Sequence, residues 1–469
     1  MKSKNFHPLV SAALFCLLFT PAFSADLPPH HALGREIFKE LIETDTTHST
    51  GDTTKAAEAL ARRFREAGFP AADIAIVGPN ATNKNIVLRY RGTGAGQPIL
   101  FLAHLDVVEA KREDWSIEPF KLTEKDGFFY GRGTSDDKDG DTSLSAAFIR
   151  LRREGFRPAR DMILAMTAGE EAAADYSGVE WLLENKKDLI AASAVFNADA
   201  GGPQQRHGKN LLYTVPAAEK IYLSFKLEVK GAGGHSSKPT RDNAIYRLAE
   251  GLLRLSKYEF PVRLNEITRR YFEKMSAIET GPTAQAMKGI LQTPPDPEAI
   301  RRLAESPFYN AILRTTAVAT MVEAGHAENA LPLTAKATVN CRLLPDESPA
   351  DVEATLKRVL ADDKISLTQI EPAKPSPASP LTPEIMQTIE RAKSRVWGDI
   401  PVVPEMETGA TDGLYFRQLG LPTYGIGGSA TDLDDIRMHG KDERVGVKDF
   451  YAGLDFQYEL IKSLGAATK

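Results

Sequence analysis

Ile99-Leu100-Phe101-Leu102-Ala103-His104-Leu105-Asp106 is the stretch that decides the fold. Five apolar residues in a row have no wet face, which is how a strand reads when both sides of its sheet are covered. The run ends in a histidine and an aspartate, and in an open parallel sheet the carboxyl ends of the strands line the ligand crevice. The pattern recurs. Met162-Ile163-Leu164-Ala165-Met166 leads toward Gly169-Glu170-Glu171, and Ala194-Val195-Phe196 leads to Asp199. Between them Leu144, Phe148 and Leu151 fall at helical spacing. Strands alternating with helices predict an α/β layer with a mainly parallel sheet.

The patterning changes near residue 217. Ile221, Leu223, Phe225, Leu227 and Val229 alternate with polar residues, and so do Leu333, Ala335, Ala337, Val339, Cys341 and Leu343. Period-2 alternation marks antiparallel strands with one wet face. Helical stripes follow each, Ile245-Leu248-Ala249-Leu252 and Val352-Leu356-Val359-Leu360. These features predict a small α+β sandwich (ferredoxin-like) over 217–373, inserted into a discontinuous domain of 25–216 and 374–469. The proline-dense stretch Pro372 to Pro383 carries the chain back. Residues 257–313, interrupted by Pro294-Pro295-Asp296-Pro297, are expected to enlarge the smaller domain.

At 469 residues, with 42% hydrophobic and 26% charged side chains, the composition is that of a globular protein with ample core. A net charge of −5 gives no basic footprint for nucleic acid. Lys2 and Lys4 precede an apolar run from Leu9 to Phe19, followed by Ala22-Phe23-Ser24. That is the layout of a cleavable signal peptide over 1–24, too short to span a bilayer. Its removal takes away two lysines and no acid, moving the charge from −5 to −7. Cys16 goes with it, and Cys341 alone cannot form an intrachain disulfide. The reading is a secreted or periplasmic protein with no stable membrane anchor.

One His-x-Asp at a loop start, or one pair of adjacent glutamates, describes a solvated surface as readily as a site. Recurrence at successive strand ends, with the late Met438-His439-Gly440, points instead to metal binding. Two adjacent divalent cations need a shared carboxylate and about two more donors each. His104, Asp136, Glu171, Asp199 and His439 supply that number and mixture. Imidazole with carboxylate suits two Zn²⁺, with Co²⁺ or Mn²⁺ as alternatives. Glu170, beside Glu171, is left as a general base. Asp106 is in reach of the second ring nitrogen of His104 and would orient it.

His104-Leu105-Asp106, Gly131-Arg132-Gly133-Thr134-Ser135-Asp136-Asp137-Lys138, Gly169-Glu170-Glu171 and His439 together resemble the signature of the M20 family of di-zinc peptidases and amidohydrolases. The family includes carboxypeptidases, deacylases and dipeptidases. The resemblance implies that Asp136 bridges the metals, that His104 and Asp199 complete one ion, and that Glu171 and His439 complete the other. It implies a cis peptide between Asp136 and Asp137. It also implies that 217–373 is a lid and dimerisation domain. Gly231-Ala232-Gly233-Gly234-His235-Ser236-Ser237 matches the lid motif whose histidine stabilises the oxyanion, within its own chain or across a homodimer. Asn329 and Arg342 match lid positions that contact substrate, with Arg342 suited to a terminal carboxylate. Gly409 and Thr411 resemble a substrate-binding loop. Asp199 stands where carboxypeptidase members often have glutamate, Glu109 where many have proline, and 257–313 lengthens the lid.

The sequence thus implies an exported peptidase acting on small peptides, carboxypeptidase- or dipeptidase-like. An N-acyl-amino-acid deacylase shares the mechanism and remains the alternative. A non-catalytic binder of peptides or metal would have no use for an unligated Glu170.

Overall fold

The structure is a computed structural model in which residues 27–171 and 176–466 are described. The expected signal peptide, 1–24, lies outside them. A six-stranded sheet forms the centre, in the order Ile74–Val77, Asn85–Tyr90, Arg160–Thr167, Gly96–His104, Val195–Asn197, Thr423–Gly425. The last four run parallel, and the first two add an antiparallel edge. The sheet is mainly parallel, as the sequence predicts.

The unbroken apolar runs have a direct cause. Ile99, Phe101 and Ala103 enter one core, shared with side chains of the helices Pro29–Ile42, Lys138–Arg153 and Val447–Gly465. Leu100 and Leu102 enter a second core with Val179, Leu182, Tyr415 and Phe416. Met162, Leu164 and Met166 divide from Ile163 and Ala165 in the same way. Each large side chain so buried contributes roughly 1.5–3 kcal/mol. A charge placed between Ile99 and Ala103, or between Met162 and Met166, would have to be buried.

The second body is a four-stranded antiparallel sheet, in the order Thr316–Ala324, Thr334–Leu343, Ile221–Lys230, Ile365–Gln369. The helices Ala244–Ser256 and Pro349–Leu360 follow Ile221–Lys230 and Thr334–Leu343 in the chain and pack with them, giving the expected ferredoxin-like order. Ile221, Leu223, Phe225, Leu227 and Val229 all face this core, as their alternation requires.

Residues 257–313 behave differently from expectation. Their helices Glu266–Ile278, Gly281–Ile290, Pro297–Ala304 and Pro307–Leu313 send Ile267, Phe272, Met287, Ile290, Leu303 and Leu313 into the core of the larger body. The insertion is part of the lid in sequence but not in packing. Its apolar stripes meet the strand Val402–Glu407, where Asn265 Nδ2 lies 3.4 Å from Met406 Sδ. The buried Lys220 Nζ donates to Ala311 O and Arg314 O, 2.8 Å each, and so closes the last of these helices.

Two smaller sheets complete the larger body. Val402–Glu407 pairs in parallel with Lys209–Glu219, which pairs with Gly202–Arg206. Arg444–Gly446 pairs with Phe128–Tyr130, tying the late chain to the turn that begins at Gly131.

Candidate active site

Every loop that carries a predicted ligand is held by buried polar groups. The strand Gly96–His104 delivers His104 into the interior, where its backbone N–H donates to Asp137 Oδ2 at 3.2 Å. The turn 131–138 wraps Glu443, which accepts from Gly133 N (3.2 Å), Ser135 N (2.8 Å) and the Arg132 guanidinium. The Asp136–Asp137 peptide is cis. Gly169 has φ +83°, and a Cβ there would lie 2.7 Å from Tyr176 O, so glycine is required just before Glu170.

Asp106 serves the site in a way the sequence did not suggest. Its carboxylate accepts from Gly169 N (2.8 Å), Glu170 N (3.2 Å) and Glu171 N (3.0 Å). The His104 ring is held instead by the Asp106 carbonyl, 2.9 Å from Nδ1, while the carboxylate oxygen is 3.9 Å away. Three converging N–H groups outcompete one ring nitrogen for a buried carboxylate.

The two oxygens of Asp136 face two different groups. Oδ1 is 3.0 Å from His104 Nε2, which is 3.6 Å from Asp199 Oδ1. Oδ2 is 2.9 Å from His439 Nε2, which is 2.8 Å from Glu171 Oε1. His104, Asp136 and Glu171 could hold a metal ion, as could His104, Asp137 and Asp199. Burial would raise the Asp136 carboxyl, but hydrogen bonds from His104 and His439 outweigh it and hold it below the usual range. Hydrogen bonds to Asp136 and Glu171 push His439 up to about 10. Burial, reinforced by the charge of Asp199, pushes Glu170 well up. The centre therefore draws positive charge to the imidazole nitrogens, and its oxygen and nitrogen donors, with no sulfur, suit a hard or borderline cation.

These side chains open on a cleft of 510 Å³ lined by Asp136, Glu170, Glu171, Asp199 and His439. Gly409 and Thr411 line it too, and a Cβ at Gly409 would meet nothing within 4 Å. Thr411 is tied down from behind, with its hydroxyl 3.2 Å from both Glu219 Oε2 and Asn197 Nδ2. Arg342 reaches the cleft from the second body, its guanidinium 4.7 Å from the Tyr222 ring centroid. His235 and Asn329 are not brought to this cleft. His235 is exposed on the lid, bonded to Ser237 Oγ at 2.7 Å, and Asn329 accepts from Ser236 N beside it.

Sequence reasoning missed Glu405 and Glu407, which also line the cleft. Burial first, then neighbouring acids, raises Glu405 to about 8 and Glu407 to about 7. Their signal was two acids two positions apart in Val402-Val403-Pro404-Glu405-Met406-Glu407, immediately before the Gly409 loop.

The profile of Peptidase family M20/M25/M40 matches residues 100–463. The chain belongs to this family. It is accordingly a hydrolase of the M20 metallopeptidase and amidohydrolase type. It is 30% identical over 374 residues to the N-fatty-acyl-amino acid synthase/hydrolase PM20D1 of Xenopus tropicalis, covering 78% of this chain and 72% of that one. It is 28% identical over 400 residues to a probable carboxypeptidase S-like 2 of Dictyostelium discoideum, covering 81% and 74%. The fold is that of an M20 family metallo-carboxypeptidase from Sulfolobus solfataricus, with TM-score 0.69, 18% identity, and coverage of 92% and 98%. No helix among the described residues is long and apolar enough to cross a membrane.

Proposed function

We propose that this chain is an exported di-zinc hydrolase that releases an amino acid with a free carboxylate from a small peptide, in the manner of a carboxypeptidase or dipeptidase. The observation that carries the reading is Asp136, whose two oxygens address separate histidine–carboxylate groups. Asp136 would span both ions, His104 and Asp199 would hold one, and Glu171 and His439 the other. Bound there, the two cations would supply Lewis acidity, lowering the pKa of water and polarising the scissile carbonyl.

The chain's own residues do the rest. Glu170, unclaimed by either group, accepts a proton at a carboxylate oxygen from the attacking water. It returns that proton to the amide nitrogen as the C–N bond breaks, so the amine leaves neutral. Asp106 keeps Glu170 in place through the backbone N–H it accepts. Arg342 binds the terminal carboxylate of the substrate in two parallel hydrogen bonds. Asn329 with Gly409 and Thr411 would complete the substrate contacts. His235 would donate to the oxyanion, reaching the cleft by lid closure or from the lid of a second copy. Two copies joined through the edge strand Thr316–Ala324 would cover its exposed Val318, Met321 and Val322.

The second reading, hydrolysis of N-acyl amino acids, is favoured by the relative named for N-fatty-acyl-amino acids. Both readings leave the same amino-acid half in the cleft and differ in the acyl half. A matched panel of dipeptides, longer peptides and N-acyl amino acids, each with a free and an amidated carboxyl, tests them. Chelation should abolish cleavage and metal should restore it, and amidated substrates should fail. Equal cleavage of amidated substrates overturns the terminal-carboxylate assignment. No hydrolysis by metal-loaded protein overturns the peptidase reading.

A further inference from the structure

Away from the cleft, the first and last described helices bring three metal-ligating side chains together. His30 and His31 open Pro29–Ile42, and Asp455 lies midway along Val447–Gly465. His30 Nε2 is 3.1 Å from Asp455 Oδ1, and His31 Nε2 is 3.1 Å from Oδ2. Neighbours on a helix point about 100° apart, yet these two rings meet edge-on with centroids 4.4 Å apart and aim at one carboxylate. One ligand atom from each residue lies within 4.8 Å of the others.

We propose that His30, His31 and Asp455 form a divalent-metal site separate from the cleft, with the donor set of a zinc site. Two imidazole nitrogens and one carboxylate oxygen are three ligands of a tetrahedral zinc centre, leaving one position for solvent or an anion. The His31 ring is already oriented, stacked on Tyr451 with centroids 4.7 Å apart. The open side faces a groove of 630 Å³ lined also by Arg150, Arg395, Lys448 and Glu459. Arg150 Nη1 is 3.9 Å from Asp455 Oδ1, but its guanidinium is held over the Tyr458 ring at 3.6 Å. A bound ion would clip together two helices whose ligands are 424 residues apart in the chain, stabilising the fold because the unfolded chain offers no such cluster.

The full chain, stripped by chelation and dialysed, is titrated with zinc chloride while bound zinc and Tm are measured. The double variant His30→Ala/His31→Ala should hold one zinc fewer per chain than the native protein, whatever number the cleft retains. Its zinc-dependent rise in Tm should be smaller, with hydrolysis in the cleft unchanged. His31→Gln and Asp455→Asn, which keep most of the local packing, should each weaken the additional ion at least about tenfold, as loss of a single ligand-shell partner already does elsewhere. Equal zinc counts and equal Tm shifts in the native protein and all variants overturn the proposal.

Discussion

Glu443 and Arg132 form an ion pair with both side chains buried, and each also grips a loop of the cleft. Glu443 accepts from Gly133 and Ser135, just before Asp136. Arg132 donates to Gly440 O at 3.0 Å, just after His439. Two residues proposed to share a metal are thus positioned by one pair of charges lying beneath them.

Breaking that pair should loosen the centre before it unfolds the protein. Glu443→Gln leaves a buried guanidinium without its counter-charge, which costs about 3–5 kcal/mol. Zinc affinity, measured by competition with a chelator, should fall about 10–100-fold. A folded variant with native zinc affinity would remove the pair from any part in positioning His439 and Asp136.

Glu170→Gln should separate metal binding from turnover. The side chain keeps its shape but can no longer accept a proton. Zinc content and Tm should stay native while kcat drops about 10²–10⁴-fold. Near-native kcat would assign the base elsewhere.

Arg342→Met should act on substrate choice. If the guanidinium holds a carboxylate, its loss removes a charge-assisted bond of about 1.5–3 kcal/mol, or roughly 10–150-fold in kcat/KM. Amidated substrates should be cut no worse by the variant than by the native enzyme. A parallel loss on both kinds of substrate would mean that Arg342 serves the lid, not the carboxylate.

Lys220 should give stability a measurable pH dependence. Burial pushes its ammonium down to about 7, against about 10.4 for an unfolded lysine. Below about pH 7 both states hold the proton, and the folded state bears the full penalty of a buried charge. Between the two values the unfolded chain keeps a proton that the folded chain has lost, so stability rises with pH. Lys220→Met should remove this part of the slope in urea unfolding at about pH 7 and 9. It should also cost about 1–3 kcal/mol by leaving the carbonyls of Ala311 and Arg314 unpaired. Equal slopes would mean that those two carbonyls fully offset the burial.

What the sequence made legible is what depends on local pattern. Ile99 to Ala103 could be read as a strand with two covered faces because consecutive residues enter two separate cores. His104, Glu171 and Asp199 could be found because they lie at or just past the ends of strands read in this way, whereas Asp136 and His439 stood out only as short motifs in turns. What was hidden depends on partners distant in sequence. The stripe on Ala244–Ser256 was expected to include Ile245, which is exposed, whereas Ala244, Leu248, Gly251 and Leu255 are buried. Gly251 belongs there because Ile365 packs on it: an added Cβ would sit 2.5 Å from Ile365 Cδ1. The helices of 266–313 carry apolar stripes that either body could have covered, and only the tertiary fold decides which does. Val402–Glu407 was overlooked as a strand because proline and two acids interrupt it, and those acids are tolerated because they face the cleft.

The pairing of Arg444–Gly446 with Phe128–Tyr130 also governs timing. His439 joins Asp136 only after this late segment has been synthesised, and the strand Thr423–Gly425 that completes the central sheet is almost as late. The lid and the helices of 266–313 are made after residues 27–216 but before this last strand, so the larger body waits for it while they emerge. A chain stopped before about residue 420 would carry four of the five proposed ligands and an unfinished sheet edge beside them. If those five residues are the ligands, hydrolytic competence arrives only near the end of synthesis.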